Sequence, residues 1–184
     1  MRPIVILLVL LILVVLLMKR ASGYTPFNPV NEKPKLIPGV LTRDECDLLI
    51  RDPSAPPSIK LRDLAAELAG KPKQNVEGVS VIKNDEQPSE FKCADNASCS
   101  EFRNLGGDRI GVLVVNLNSE FKGGELLFPA HNGLTMRPEP GEGVYFRPLM
   151  SNRDVARGQP VTEGTKWSAI VYVRDNNAKK IEVA

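Results

Sequence analysis

Alternation of apolar and polar positions dominates the chain from residue 76 onward. Short runs rich in Val, Ile and aromatic residues are separated by Gly, Pro and Asn, a pattern typical of strands joined by tight turns. The runs are Val76–Lys83, Arg109–Leu117, Glu125–Phe128, Gly133–Arg137, Gly143–Phe146 and Trp167–Val173. Ile110–Leu117 is almost continuously apolar, as a strand buried on both faces would be. This spacing predicts an antiparallel sandwich or barrel.

Two helices are predicted before these strands, after a short apolar strand within Lys35–Val40. Thr42 followed by Glu45 forms a capping box, so a helix begins there, with Cys46, Leu49 and Ile50 on its apolar side. A second amphipathic helix covers Ser58–Ala69 and ends at Gly70. Its predicted inner face consists of Ile59, Leu61, Leu64, Ala65 and Leu68. The predicted fold class is therefore mainly β with N-terminal helices, that is, α+β.

The first twenty residues differ from the rest. Residues 4–18 are fifteen consecutive apolar residues, closed by Lys19 and Arg20. A membrane-spanning helix needs about 17–25 residues, and the apolar region of a signal peptide has about 7–15. Because two cations and no clean cleavage site follow, we expect a retained single-pass anchor at residues 1–20, with a removed signal peptide as the alternative. The flanking charges leave the side of the membrane open.

Charge and length bound the remaining chain. Residues 21–35 form a proline-containing stalk, residues 36–175 suffice for one domain, and residues 176–184 are a polar tail. The 24 basic and 22 acidic residues give a net charge of +2. Without a basic block in this part, nucleic acid is not expected as a partner. The expected partners are the membrane, through residues 4–18, and one or more proteins.

Cysteine spacing gives no zinc-type pattern. The three cysteines are Cys46, Cys93 and Cys99. The last two could close a small disulfide loop in an oxidising compartment or remain free thiols. Asn96 begins a glycosylation sequon, and the sequence alone does not decide whether it is used.

Five stretches, in order, resemble prolyl 4-hydroxylase-type oxygenases, which depend on iron(II) and 2-oxoglutarate. They are IPGVLTRDECDLLI from Ile37, RIGVLVVNLN from Arg109, FKGGELLFP from Phe121, LTMRPEPGEGVYF from Leu134 and GQPVTEGTKW from Gly158. The resemblance covers roughly residues 36–175. It implies a double-stranded β-helix, or jelly roll, in which a His-x-Asp pair and a distal histidine hold the iron.

The resemblance fails at the metal ligands. The His-x-Asp segment aligns with FKCADNAS, where Cys93 replaces the histidine and Asp95 matches the carboxylate. Ala156 occupies the distal histidine position. The chain has one histidine, His131, which belongs to neither motif and which we interpret as a solvated loop residue. Only Asp95 remains of three ligands, so no catalytic residue and no bound cofactor are expected.

Lys166 is the candidate cofactor-binding residue. The resemblance places it where the family has the basic residue that pairs with the far carboxylate of 2-oxoglutarate, and a buried dicarboxylate needs such a partner. The alternative is a lysine retained by descent that points to solvent or pairs with a local acid, and that binds nothing. Asn116 replaces a frequent tyrosine and would leave a polar atom in the pocket. Gly123-Gly124 predicts a turn that needs positive φ or a close approach of strands. Phe146 and Trp167 are expected in the core.

Three hypotheses follow. The first is a membrane-anchored, catalytically inactive protein with this fold that acts as a structural or protein-binding module, for example in a viral assembly. The second is an active 2-oxoglutarate-dependent prolyl hydroxylase whose iron is held by Cys93, Asp95 and a further donor such as Asp154. The third is a metal-free module that binds a dicarboxylate on Lys166.

Overall fold

The computed structural model describes residues 32–84, 107–147 and 156–176. These residues form two helices, α1 (Arg43–Arg51) and α2 (Pro57–Ala69), and ten strands. The strands are β1 (Lys35–Ile37), β2 (Ser80–Asn84), β3 (Arg109–Asn116), β4 (Phe121–Gly123), β5 (Leu126–Phe128), β6 (Leu134–Met136), β7 (Gly143–Phe146), β8 (Arg157–Gly158), β9 (Val161–Gly164) and β10 (Lys166–Arg174). Single 3-10 turns cover Lys73–Asn75 and Pro129–His131.

Five strands form the major sheet, in the order β1-β7-β3-β10-β2, with every pair antiparallel. The two central strands, β3 and β10, are the longest. Residues 111–116 of β3 are all buried, which confirms the sequence prediction for this strand. Central strands of a covered sheet lose solvent on both faces, which is why β3 reads as a nearly unbroken apolar run.

The second layer of the jelly roll consists of the three-stranded sheet β6-β5-β8 and the pair β4-β9. Alternate residues of β3, β7 and β10 face this layer, because successive side chains of a strand point to opposite faces. Together the two layers enclose an inter-sheet cluster. Its buried members are Val112, Val114, Leu126, Phe128, Val144, Phe146, Ala156 and Ile170. Phe128 and Phe146 meet edge to face, with ring centroids 5.2 Å apart, so Phe146 is a core residue as predicted.

The helices cover the other face of the major sheet. There they enclose a helix-side cluster made of Val40, Leu41, Cys46, Leu49, Leu61, Ala65, Ala66, Ala69, Val76, Leu113, Val115, Leu117, Tyr145, Ala169, Val171 and Val173. Trp167 packs against it from a half-buried position. The α1 capping box is present, since the Thr42 side chain accepts from the Glu45 backbone and Glu45 accepts from the Thr42 backbone.

The prediction for α2 was right in extent and partly wrong in face. The helix ends at Gly70, whose φ of 63° is the left-handed conformation that glycine adopts without strain. Leu61 and Ala65 are buried, but Ile59 is 61% exposed. The buried face turns toward Pro57, Ala66 and Ala69 instead. The buried face is therefore the one with small residues, which can lie close to a sheet. Hydrophobicity alone did not predict this face.

The sequence pattern missed three short strands and overextended another. Phe121–Gly123, Arg157–Gly158 and Val161–Gly164 are two to four residues long, too short to show an alternation of their own. Val76, predicted to begin a strand, instead makes an isolated bridge to Val173, and the strand starts at Ser80. Tertiary pairing, rather than local composition, creates these short elements.

One charged cluster ties β3 and β10 to the segment before β2. Glu77 accepts from Arg109 through both carboxylate oxygens at 2.8 Å, and from Arg174 Nε at 2.8 Å. Arg174 is only 1% exposed. The Arg109 guanidinium also lies over the Tyr172 ring, 3.6 Å from its centroid. A buried guanidinium is tolerated here because a carboxylate compensates it.

The predicted anchor, residues 1–20, and most of the stalk lie outside the described residues. Within residues 32–84, 107–147 and 156–176, no helix is long and apolar enough to cross a membrane.

Candidate functional site

Lys166 begins β10 and points into the space between the two layers. It is 6% exposed and lies on the same strand face as Ile170 of the inter-sheet cluster. Its ammonium donates a hydrogen bond of 2.6 Å to the carbonyl oxygen of Gly124 and lies 5.8 Å from the centroid of the Phe121 ring. No carboxylate forms an ion pair with it within the described parts of the chain. The interpretation of Lys166 as a solvent-facing or acid-paired residue is therefore wrong.

Burial lowers the pKa of Lys166 to about 8. Glu125 opposes this shift and Arg137 adds to it, both through their charges at a distance. A cation removed from water without a neighbouring carboxylate has lost favourable hydration, which stabilises the neutral amine. Near neutral pH the side chain is still mostly a cation. Its hydrogen bond to Gly124 only partly replaces the water contacts that burial removes.

The Gly123-Gly124 pair shapes the place where Lys166 ends. Both residues have positive φ, 75° and 71°, as predicted. A Cβ on Gly123 would lie 2.4 Å from the Pro160 carbonyl oxygen, and one on Gly124 would lie 3.0 Å from Cδ of Lys166. The turn therefore needs glycine both for its backbone conformation and for the close approach of the lysine stem.

Ala156 directly precedes β8 and is 6% exposed within the inter-sheet cluster. Its methyl group contributes no donor atom at the position where the family resemblance implies a distal histidine. The side chain is instead a buried member of the apolar inter-sheet cluster. This corner of the jelly roll is built as apolar core.

Asn116 and Ser168 extend the polar inner face beside Lys166. They are 2% and 1% exposed and stand directly opposite each other on β3 and β10. The sequence indicated Asn116 as a polar atom in the pocket but gave Ser168 no role. The signal was available, because residue 168 shares the strand face of residue 166 under two-residue alternation.

The remaining predicted site residues do not join this group. Cys93, Asp95, Asn96, Cys99 and Asp154 lie outside the described residues. Within the described ranges, no three His, Cys, Asp or Glu side chains come together in a way that could hold a metal ion. His131 is half-buried in the turn after β5, and its ring lies edge-on to Phe128, 6.5 Å between centroids.

No family model matches the chain. Over 89 residues it is 36% identical to a putative prolyl 4-hydroxylase of Acanthamoeba polyphaga mimivirus, a match covering 45% of this chain and 36% of the relative. Over 101 residues it is 31% identical to probable prolyl 4-hydroxylase 6 of Arabidopsis thaliana, covering 42% and 35%. The matched part thus spans little more than a third of these curated relatives.

Solved structures extend the likeness over most of the chain. The viral collagen prolyl hydroxylase of Paramecium bursaria Chlorella virus-1, in its 2-oxoglutarate complex, aligns with a TM-score of 0.60 and 19% identity, over 84% of this chain and 100% of that one. A prolyl-4-hydroxylase of Pseudomonas putida aligns with a TM-score of 0.54 and 15% identity, over 85% and 99%. At these identities the likeness establishes the fold.

The two packed layers and these alignments define the fold class: the chain has the jelly-roll fold of prolyl 4-hydroxylases. The sequence matches add that less than half of the chain is similar to proteins named prolyl 4-hydroxylases.

Proposed function

We propose that this protein is a prolyl 4-hydroxylase-like binding module that holds a small dicarboxylate at Lys166 and does not catalyse iron-dependent oxidation. One observation carries the proposal. A lysine ammonium lies inside the jelly roll with no carboxylate partner among the described residues. It has three donors, and the Gly124 carbonyl oxygen takes one of them. A buried cation is costly unless it is paired, and a ligand carboxylate would supply the missing charge.

The class of ligand that suits this position is a small dicarboxylate such as 2-oxoglutarate. Its far carboxylate would accept from the Lys166 ammonium, whose place at the start of β10 is fixed by pairing with β2 and β3. The surrounding apolar side chains exclude water, which strengthens a charge-assisted hydrogen bond. The residues thus suit an anion, and they do so without any metal.

Iron does not fit the residues that the chain offers. The family pattern uses two imidazoles, and this sequence contains one histidine. That histidine, His131, packs on Phe128 in a turn, while Ala156 fills the distal ligand position with a methyl group. The competing proposal is an active prolyl hydroxylase with ligands from Cys93, Asp95 and Asp154. Thiolate in such a set favours zinc or copper over an oxygenase iron.

The N-terminal apolar segment is part of the proposal as a membrane anchor. Residues 4–18 would hold the module at a membrane, where it would act through a protein partner in a structural assembly. The apolar run closed by Lys19 and Arg20 supports the anchor. Carbonate extraction tests the anchor: release of the full chain into the soluble fraction would contradict it.

Calorimetry on the full chain tests dicarboxylate binding. Glutarate and 2-oxoglutarate are titrated into wild type, Lys166→Met and Lys122→Met. Methionine keeps an unbranched stem against Gly124 but removes the charge, and Lys122 is a surface lysine, 69% exposed, in an ion pair with Glu163. We expect at least tenfold weaker binding in Lys166→Met alone.

Two outcomes would overturn the proposal. If wild type binds neither dicarboxylate, or if Lys166→Met binds as wild type does, Lys166 is not an anion site. If the purified full chain contains stoichiometric iron and decarboxylates 2-oxoglutarate, the protein is an active oxygenase. Metal analysis of the same preparation separates these cases.

A further inference from the structure

Two buried polar atoms on the strand face of Lys166 have no hydrogen-bond partner among the described residues. They are Oδ1 of Asn116 and Oγ of Ser168, in residues that are 2% and 1% exposed. Buried polar side-chain atoms are usually hydrogen-bonded, because leaving one unpaired forfeits its interaction with water. Two such atoms on one inner face therefore point to a molecule that the face is built to receive.

The strand register brings these atoms together with Lys166. Ser168 stands opposite Asn116 in the antiparallel pair of β3 and β10. The neighbouring pair is hydrogen-bonded, with Leu117 N donating to Trp167 O at 3.0 Å, so Asn116 and Ser168 form a non-hydrogen-bonded pair. Cβ atoms in such pairs are about 4.5–5.5 Å apart. Lys166 lies two residues before Ser168 on the same face, about 6.5–7 Å along the strand.

The amide orientation of Asn116 is fixed by its surroundings. Its Nδ2 donates to two backbone carbonyl oxygens, those of Asn118 and Pro138, both at 2.9 Å. Rotating the amide by half a turn would place Oδ1 against these two acceptors and lose both hydrogen bonds. Oδ1 is therefore a pure acceptor, and only a donor can satisfy it. The Ser168 hydroxyl can either donate or accept.

We propose that the ligand held by Lys166 carries a hydroxyl group, so that the site prefers a hydroxydicarboxylate to a 2-oxo dicarboxylate. This deepens the proposed function and depends on it. At neutral pH, 2-oxoglutarate consists of two carboxylates and a ketone, all acceptors, and would leave Oδ1 of Asn116 unpaired. A hydroxyl donates to Oδ1 and accepts from Ser168. An ammonium would also donate, but it would bring a second cation within about 7 Å of Lys166 in an apolar surrounding.

A ligand series on the full chain tests this preference by calorimetry. Glutarate, 2-oxoglutarate, both enantiomers of 2-hydroxyglutarate and L-glutamate share a five-carbon frame and differ at one position. We expect one enantiomer of 2-hydroxyglutarate to bind about tenfold more tightly than 2-oxoglutarate, the size of effect that one buried hydrogen bond provides. Asn116→Leu should bring the affinity ratio of 2-hydroxyglutarate to 2-oxoglutarate close to one.

The outcomes separate the two proposals. If dicarboxylates bind through Lys166 but 2-oxoglutarate binds as well as or better than the hydroxy acids, the hydroxyl preference is wrong and the anion site stands. If no dicarboxylate binds, both proposals fail. The ligand series needs no variant, so it remains decisive even if Asn116→Leu does not fold.

Discussion

The Lys166 ammonium donates to the carbonyl oxygen of Gly124 over 2.6 Å, joining two sequence motifs that lie 42 residues apart. Gly124 belongs to the turn between β4 and β5, and Lys166 begins β10. The hydrogen bond therefore bridges the second layer and the major sheet at the inner face. The position of the ammonium, and with it ligand binding, should depend on this contact.

The affinity for dicarboxylates should fall as the pH rises through about 8, the pKa of Lys166. Below this pH the ammonium is charged and pairs with the ligand; above it the amine is neutral, while the carboxylates stay ionised. A bound anion stabilises the charged lysine, so binding near pH 8.5 should also take up protons. Titrations in buffers of different ionisation enthalpy measure this uptake. A pH-independent affinity between 7 and 10 would contradict the role of Lys166.

Without ligand, the buried charge of Lys166 lowers the free energy of unfolding at neutral pH, whereas the charge of an ion-paired lysine would raise it. Its pKa in the folded protein is below the ordinary value of 10.5, so the unfolded chain binds more protons between about 8 and 10.5. Stability from this group therefore rises with pH across that window. Without ligand, Lys166→Met should unfold at higher urea than wild type at pH 7, and the difference should shrink toward pH 10.

Replacing Ala156 by histidine should not create an oxygenase. Position 93 would still lack imidazole, so we expect no decarboxylation of 2-oxoglutarate in the presence of iron(II). Because Ala156 is buried among apolar side chains, a histidine should also cost about 1–3 kcal/mol of stability. Ala156→Leu is the matched control for side-chain volume. Measurable turnover in Ala156→His would contradict the inactive assignment.

Glu77→Gln should destabilise the fold, because it removes the carboxylate that accepts from the buried Arg174 and from Arg109. Breaking a buried ion pair costs about 3–5 kcal/mol, and we expect the lower end because the Glu77 side chain keeps 21% exposure. Glu163→Gln, in the exposed pair with Lys122, should cost less than about 1 kcal/mol. Urea unfolding followed by Trp167 fluorescence compares them. Similar losses would show that the Glu77 cluster contributes no more than a surface pair.

Gly124→Ala should be more harmful than Gly133→Ala. Both glycines have positive φ near 70°, so the backbone strain of an added Cβ is matched at about 1–2 kcal/mol. At Gly133 the new atom would meet nothing within 4 Å, whereas at Gly124 it would press on the side chains of Lys166 and Val161. Gly124→Ala should therefore lose further stability and weaken glutarate binding. Equal effects in both assays would mean that Lys166 does not depend on this close approach.

Features that depend on neighbouring residues could be predicted from the amino-acid order alone. Strand alternation, the Thr42–Glu45 cap and the Gly70 stop act within a few positions, so they locate the main elements. The order of the five motifs indicated the jelly roll. The sequence has one histidine, fewer than the two that the family's metal site uses. Boundaries of short strands such as β8 were not predictable, because two residues carry no period.

Which polar groups are left without partners depends on how distant segments pair in three dimensions. Among the described residues, the lack of an ion pair at Lys166 and the opposition of Asn116 to Ser168 both depend on the pairing of β10 with β3, between residues about 50 positions apart. Likewise, Ile59 is exposed because α2 packs on the sheet through the face that holds Leu61, Ala65 and Ala69. Local patterns specify which face of an element is apolar, but the partner across the core decides which buried atoms still need a ligand.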